Sequence, residues 1–202
     1  WQPPVGHSEV VLVPGQVESD ASLAKASPLF QTNLELLEAA RARCPQAWIV
    51  YKPHPDVVAG ARKASDAVQL AQRYCDEVVL DVSIDTLLRK VDRVMVMTSL
   101  AGFEALLRGT PVVCCGQPFY AGWGLTEDLC PPARRTRRLT LDELVAGVLL
   151  MYPTYVSGQT GFYTTPERAL DELLEWRSVD GQSGDWRRWL LRRLLRVLVG
   201  AR

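Results

Sequence analysis

Residues 93–115 read R-V-M-V-M-T-S-L-A-G-F-E-A-L-L-R-G-T-P-V-V-C-C. Two runs rich in Val and Met or Cys, Arg93–Met97 and Pro111–Cys114, flank a helical stretch at Leu100–Arg108. Strand, helix and strand in so short a span make a βαβ unit, which places its two strands parallel in one sheet. Outward from it the same alternation fills the first 115 residues. Strands are expected at Glu9–Pro14, Ala47–Lys52 and Glu77–Leu80, and helices at Gln31–Arg43, Ala64–Tyr74 and Ile84–Lys90. The resulting five strands are mostly continuous apolar runs, as strands covered on both faces require. In the first helix Leu34, Leu37 and Ala40 fall on one stripe. The expected fold class is therefore α/β: a Rossmann-like parallel sheet layered with helices, followed by C-terminal helices at Leu141–Tyr152 and Pro166–Trp176. The domain reading is a lobe over 1–177, a flexible linker over 178–185 (S-V-D-G-Q-S-G-D) and a basic amphipathic helix over 186–202.

The chain has 202 residues, 48% hydrophobic and 23% charged, with a mean hydropathy of −0.01. That composition excludes fibrous and wholly disordered classes. No uncharged apolar run is long enough for a transmembrane helix, and the first residues lack signal-peptide character. The sequence does not begin with Met, so it reads as a piece of something longer. Net charge is zero from 23 basic and 23 acidic side chains. The balance hides an asymmetry, because residues 186–202 carry six arginines and no acid. Five cysteines without a C-x-x-C pair indicate neither a disulfide framework nor a zinc ribbon, and they fit a reducing, cytoplasmic setting.

Ligands of parallel α/β sheets bind beyond the carboxyl ends of the strands, so the loops there are where chemistry is sought. After the first strand, G15-Q-V-E-S-D-A-S22 offers Glu18 and Asp20. A carboxylate in that place can be a nucleophile or base, or Asp20 and Ser22 can simply cap a turn or helix. After the second strand, Y51-K-P-H-P55 holds His54 between prolines, with Lys52 close by. A rigid imidazole loses little entropy on binding an anionic oxygen, and the alternative is a strand exit in which His54 caps a carbonyl. After the fourth strand, T98-S-L-A-G-F-E104 opens a helix with two hydroxyls and a glycine, which suits an anion or an ordinary N-cap. Glu104 lies outside the capping-box register, free to meet a ligand hydroxyl. The loop G116-Q-P-F-Y-A-G-W-G124 interleaves aromatics with glycine, either to stack on a base or sugar or to plug the sheet end. Arg134, Arg135, Arg137 and Arg138 follow it, to meet an anion or as a solvated charge run.

The tail W186-R-R-W-L-L-R-R-L-L-R-V-L-V is amphipathic at helical spacing, with Trp186 and Trp189 on one face and Arg188, Arg192 and Arg196 on the other. Such a helix lies in a membrane interface, or else docks on a partner or packs on its own domain. Nucleic acid is not an expected partner, since the basic residues form no continuous groove.

Taken together, G-Q-V-E-S-D-A-S, V-Y-K-P-H-P-D, M-T-S-L-A-G-F-E-A-L-L-R-G-T-P-V and G-Q-P-F-Y-A-G-W-G-L-T resemble the KpsC/LipB family of capsular polysaccharide β-Kdo transferases. The resemblance runs from about Val10 to Leu174 and covers the donor-binding half of the C-terminal module, one lobe of a two-lobed GT-B enzyme. It implies transfer of Kdo from CMP-β-Kdo, with retention and without a metal or other cofactor, to a lysophosphatidylglycerol-linked Kdo acceptor. It implies Asp20 as the catalytic nucleophile and His54 with Pro55 as holders of the CMP phosphate. Thr98 and Ser99 would receive the departing phosphate. Glu104 or Asp81 would hold ribose hydroxyls, and Lys52 and Gln16 would be secondary contacts.

The resemblance places the enzyme at the cytoplasmic face of the inner membrane, in capsule assembly and export. The acceptor lobe of the same protein would precede Trp1, so the chain alone is expected to bind donor without completing transfer. Competing readings are another GT-B transferase using CMP-sialic acid or a UDP-sugar, and a non-catalytic nucleotide-sugar binding or membrane-scaffold module.

Overall fold

The structure is a computed structural model that describes residues 1–3, 5–58 and 68–180. Two compact units form, Trp1–Leu144 and Val145 onward. In the first, β1 (Val10–Pro14), β2 (Trp48–Lys52), β3 (Glu77–Val78), β4 (Arg93–Val96), β5 (Val112–Cys114) and β6 (Glu127–Asp128) make one sheet. Its order is β3-β2-β1-β4-β5-β6 and every pairing is parallel. The βαβ reading of residues 93–115 is realised as β4, α6 (Leu100–Leu106) and β5, with Val94 facing Val112.

The helices of this unit before α6 are α1 (Ala21–Ala26), α2 (Asn33–Arg43), α3 (Pro55–Val58), α4 (68–71) and α5 (Ile84–Leu88). Val11, Val13, Ile49, Met95 and Met97 from the strands pack with Leu23, Leu36, Leu37 and Ala40 from α1 and α2. Each such Val, Leu, Ile or Met side chain taken from water contributes about 1.5–3 kcal/mol, so this layer dominates the stability of the unit. Thr32 and Glu35 close a capping box that starts α2. The buried stripe of α2 is Asn33, Leu36, Leu37 and Ala40, spaced i, i+3, i+4 and i+7. Leu36 thus replaces the expected Leu34, and a polar residue occupies the head of the stripe.

Several elements differ from expectation. The sheet has a sixth strand, β6, inside the glycine-rich loop; two charged residues carry no apolar periodicity by which to find it. α1 was not expected, since A-S-L-A-K-A offers a single buried anchor, Leu23. The expected helix Leu141–Tyr152 divides into α7 (Leu141–Val145) and a π-helical stretch, Ala146–Met151. The second unit also holds a hairpin, β7 (Tyr155–Val156) with β8 (Tyr163–Thr164), and α8 (Pro166–Asp180).

Helix α8 runs through 178–180, the start of the expected linker, where the Ser178 hydroxyl donates to the Glu175 carbonyl at 2.7 Å within the helix. The rest of the linker and the tail 186–202, with Trp186, Arg188, Trp189, Arg192 and Arg196, lie outside the described residues. Leu170, Leu173 and Leu174 of α8 are more than half exposed. Leu170 and Leu173 line a groove of about 990 Å³ with Leu149, Leu150 and Val156. Among the described residues no helix is long and apolar enough to cross a membrane.

Candidate functional site

The chain runs from β1 outward to β2 and β3, then returns to add β4, β5 and β6 on the other side of β1. The direction reverses at the carboxyl ends of β1 and β4, where sheets of this kind form a ligand crevice. Two side chains bridge it. Gln16, just past β1, donates from Nε2 to Thr98 Oγ1 at 2.9 Å, and its Oε1 accepts from the Thr98 amide at 2.9 Å. The Ser22 hydroxyl reaches the same Thr98 Oγ1 at 3.2 Å. Gln16 is buried, whereas Ser22 and Asp20 face solvent, so the bridge has a fixed root and an open rim.

The root continues inward. The Asn33 side chain pairs with both backbone groups of Gln16, accepting from its amide at 2.8 Å and donating to its carbonyl at 2.9 Å. Glu18 Oε1 accepts from the Asn33 amide at 2.8 Å and from its Nδ2 at 3.1 Å. These contacts satisfy groups that have left the strand ladder.

Asp20 is the N-cap of α1, and its Oδ1 accepts from the Ser22 amide at 2.7 Å. The capping reading is therefore realised, and it has an electrostatic consequence. The Ser22 backbone bond, then the Ser22 side chain and more weakly His54 hold the carboxyl below its ordinary value. Asp20 is thus an exposed, firmly anionic carboxylate with one oxygen tied and the group fixed in place.

Gly15 brings the β1 loop against the β2 loop. A Cβ at Gly15 would stand 2.8 Å from Tyr51 Oη, closer than packing allows, and 3.2 Å from the His54 backbone nitrogen. His54 does not cap a carbonyl. Its Nδ1 accepts from the Asp56 amide at 3.2 Å, at the start of the helix that Pro55 opens. With Nδ1 accepting, the hydrogen of the neutral ring sits on Nε2, a donor for an anionic oxygen.

Thr98 and Ser99 carry the rim onto α6. Ser99 is the N-cap, its hydroxyl accepting from the Ala101 amide. The Tyr120 hydroxyl donates to the Ser99 carbonyl, and Tyr120 packs over Gly102. Tyr120 is fully buried and stacks with Phe103, so for this residue the plug reading of the aromatic loop holds. Phe119 stays 40% exposed. Arg135 is no solvated charge: it lies 5.3 Å from the Trp123 ring centre and donates to the Pro118 and Ala121 carbonyls. Glu104 is half-buried on the second turn of α6, outside the cap as expected.

Lys52 and Asp81 belong to a different corner. Lys52 Nζ donates to the Leu80 carbonyl at 2.9 Å. Partial burial lowers the Lys52 pKa, and Asp81 opposes that shift. The fold thus joins Gln16, Ser22 and Thr98 directly, seats Asp20, His54 and Ser99 on the same sheet end, and occupies Lys52 at the end of β3. Sequence reasoning missed Asn33. The signal for Asn33 was an amide at the head of an apolar helical stripe. Among the described residues no group of three or more His, Cys, Asp or Glu is placed to hold a metal ion.

A family model described as capsule polysaccharide biosynthesis protein matches residues 6–163. The chain is 49% identical over 170 residues to the capsule polysaccharide modification protein LipA of Neisseria meningitidis serogroup B, covering 84% of this chain and 24% of that protein. It is 42% identical over 163 residues to the lipopolysaccharide-processing protein LpsZ of Rhizobium meliloti, covering 81% and 37%. Among solved structures it resembles Thermosulfurimonas dismutans KpsC, beta Kdo 2,7 transferase, with a TM-score of 0.78 and 48% identity over 87% of this chain and 57% of that one. For the beta Kdo 2,4 transferase of the same organism's KpsC the values are 0.66 and 32%, over 85% and 55%. The chain therefore spans about a quarter of the length of the LipA relative.

Proposed function

Because the chain belongs to the capsule polysaccharide biosynthesis protein family, we propose that it is the donor-binding part of a retaining β-Kdo transferase that uses CMP-β-Kdo. The observation that carries this reading is the Gln16–Thr98–Ser22 bridge at the reversal point of the sheet, beside an anionic Asp20 and the His54 imidazole. A nucleotide-sugar donor needs a phosphate seat and a carboxylate on one edge, and this edge has hydroxyls, an imidazole donor and Asp20. The greater likeness to the 2,7 than to the 2,4 transferase favours the 2,7 linkage.

In this mechanism the free oxygen of Asp20 attacks the anomeric carbon of the donor sugar as the bond to the CMP phosphate breaks. His54 Nε2, Thr98 and Ser99 stabilise the charge that develops on that phosphate. An acceptor hydroxyl then passes its proton to the departed CMP phosphate and displaces the Asp20 carboxylate from the same carbon, so two inversions give net retention. Glu104 is within α6 and available to a ribose hydroxyl, whereas Lys52 is held at the Leu80 carbonyl with Asp81 nearby, on the β3 side of β2. The acceptor is a lipid-linked Kdo chain, and the lobe that binds it is a separate part of the parent protein. The arginine-rich tail 186–202 supplies contact with the cytoplasmic face of the inner membrane.

Calorimetric titration with CMP, with UDP as the control at fixed salt, tests the donor assignment. Binding of CMP with UDP silent is expected. Equal affinity for UDP would shift the reading to a UDP-sugar transferase. Failure of the full-length parent to bind either nucleotide would remove it.

A further inference from the structure

We infer that Asn33 is a positioning residue: through the backbone of Gln16 it fixes the amide that holds Thr98, and so sets the geometry of the crevice rim. The inference rests on the donor-site reading above and concerns a residue buried behind the rim.

Asn33 is buried at the head of the Leu36, Leu37 and Ala40 stripe, where an apolar side chain would pack without desolvation cost. It is not needed to cap α2, because Thr32 and Glu35 do that. Its carboxamide spends its bonds elsewhere, two on the amide and carbonyl of Gln16 and one on Glu18. A two-point pairing with one residue's backbone leaves that residue a single orientation, as a ladder partner would in a strand. The Gln16 carboxamide then meets Thr98 with both its donor and its acceptor, 82 residues away in sequence. Glu18 orients Asn33 in turn through the Asn33 amide and Nδ2. The path from Glu18 to Asn33, Gln16 and Thr98 ends on the oxygen that Ser22 also reaches, two residues from Asp20. Supporting bonds of this kind hold reacting groups to within fractions of an ångström.

Two readouts test this on the whole chain. The first is hydrogen exchange at the Thr98 amide, which needs no ligand. Asn33→Ala is expected to raise that rate by about tenfold, the scale of one lost hydrogen bond, while the Leu12 and Val13 amides of β1 keep theirs. The second is CMP affinity, expected to fall by about tenfold in Asn33→Ala and no further in Asn33→Ala/Gln16→Ala than in Gln16→Ala alone. Asn33→Ser, a neutral polar residue too short to pair with both backbone groups of Gln16, provides the same comparison if the alanine variant does not fold.

An unchanged Thr98 rate in a folded variant overturns the inference, as do additive losses of affinity with Gln16→Ala. A melting temperature that falls with exchange and affinity intact would show Asn33 to be structural only, which also overturns it. If neither the wild-type chain nor its full-length parent binds CMP while the Thr98 rate still rises selectively, the donor reading fails and the positioning role stands.

Discussion

Replacing Gly102 with Ala sets two physical effects against each other. Alanine in a helix interior is favoured over glycine by about 1 kcal/mol, so local propensity predicts a stabler protein. In the folded unit, however, a Cβ at Gly102 would overlap Tyr120 Oη and stand 2.7 Å from Cζ and 2.9 Å from Cε2 of the same ring. Real Cβ atoms rarely come within about 3.0 Å of a non-bonded heavy atom, and Tyr120 has no room to retreat. It is fully buried, edge-on to Phe119 at 5.1 Å and stacked with Phe103 at 6.3 Å. Overpacking of this kind costs about 1–3 kcal/mol. Displacing the ring also breaks its hydroxyl bond to the Ser99 carbonyl, a further ~0.5–1.5 kcal/mol. After the propensity gain the net expectation is a loss of about 2 kcal/mol. With a urea slope of about 2 kcal/mol/M, the unfolding midpoint falls by about 1 M. The assay is equilibrium urea unfolding followed by tryptophan fluorescence, to which Trp123, in the same loop as Tyr120, contributes. Tyr120→Phe, which removes the hydroxyl bond alone, should lose only about 1 kcal/mol. A Gly102→Ala protein as stable as wild type, or stabler, would refute the reasoning.

Asp20→Asn and Asp20→Ala should both abolish sugar transfer by the full-length parent, yet only the alanine variant should lower the melting temperature, because asparagine caps a helix as well as aspartate does; transfer surviving in Asp20→Asn would sink the nucleophile assignment. Since hydrogen bonds hold the Asp20 carboxyl below its ordinary value, it stays ionised further into acid, and its cap contribution is complete above about pH 4 and is lost only as pH falls through the lowered value. His54→Ala should weaken CMP binding by about 1.5–3 kcal/mol, the scale of a hydrogen bond to a charged group, and unchanged affinity in a folded variant would remove His54 from the phosphate seat. Deleting 186–202 should release the protein from vesicles containing anionic lipid, and continued binding would place the membrane contact elsewhere.

Much of the architecture was legible in the sequence because it depends on local pattern. Continuous apolar runs announced β1, β2, β4 and β5, and the span from Arg93 to Cys114 announced a parallel crossover without reference to anything distant. The strands that escaped, β6, β7 and β8, are two residues long and cannot show a period. The site was legible to the same degree. Asp20, His54 and Thr98 could be assigned to carboxyl-end loops, since that follows from strand positions alone. That Asp20 caps α1, and that His54 takes an amide instead of capping a carbonyl, required the backbone path.

The sequence by itself determined the strand-and-helix alternation, the class of fold and the loops in which chemistry could lie, because each is set by residues within a few positions of one another. Tertiary structure alone decided which of those loops meet. The order β3-β2-β1-β4-β5-β6 is what sets Gln16 beside Thr98, sends Lys52 to the Leu80 carbonyl and brings Tyr120 under Ser99. It also turned Asn33 from the first residue of a helix into the support of a strand-end loop. These pairings join residues 17 to 82 positions apart, and burial of a shared core selects them where no local propensity could.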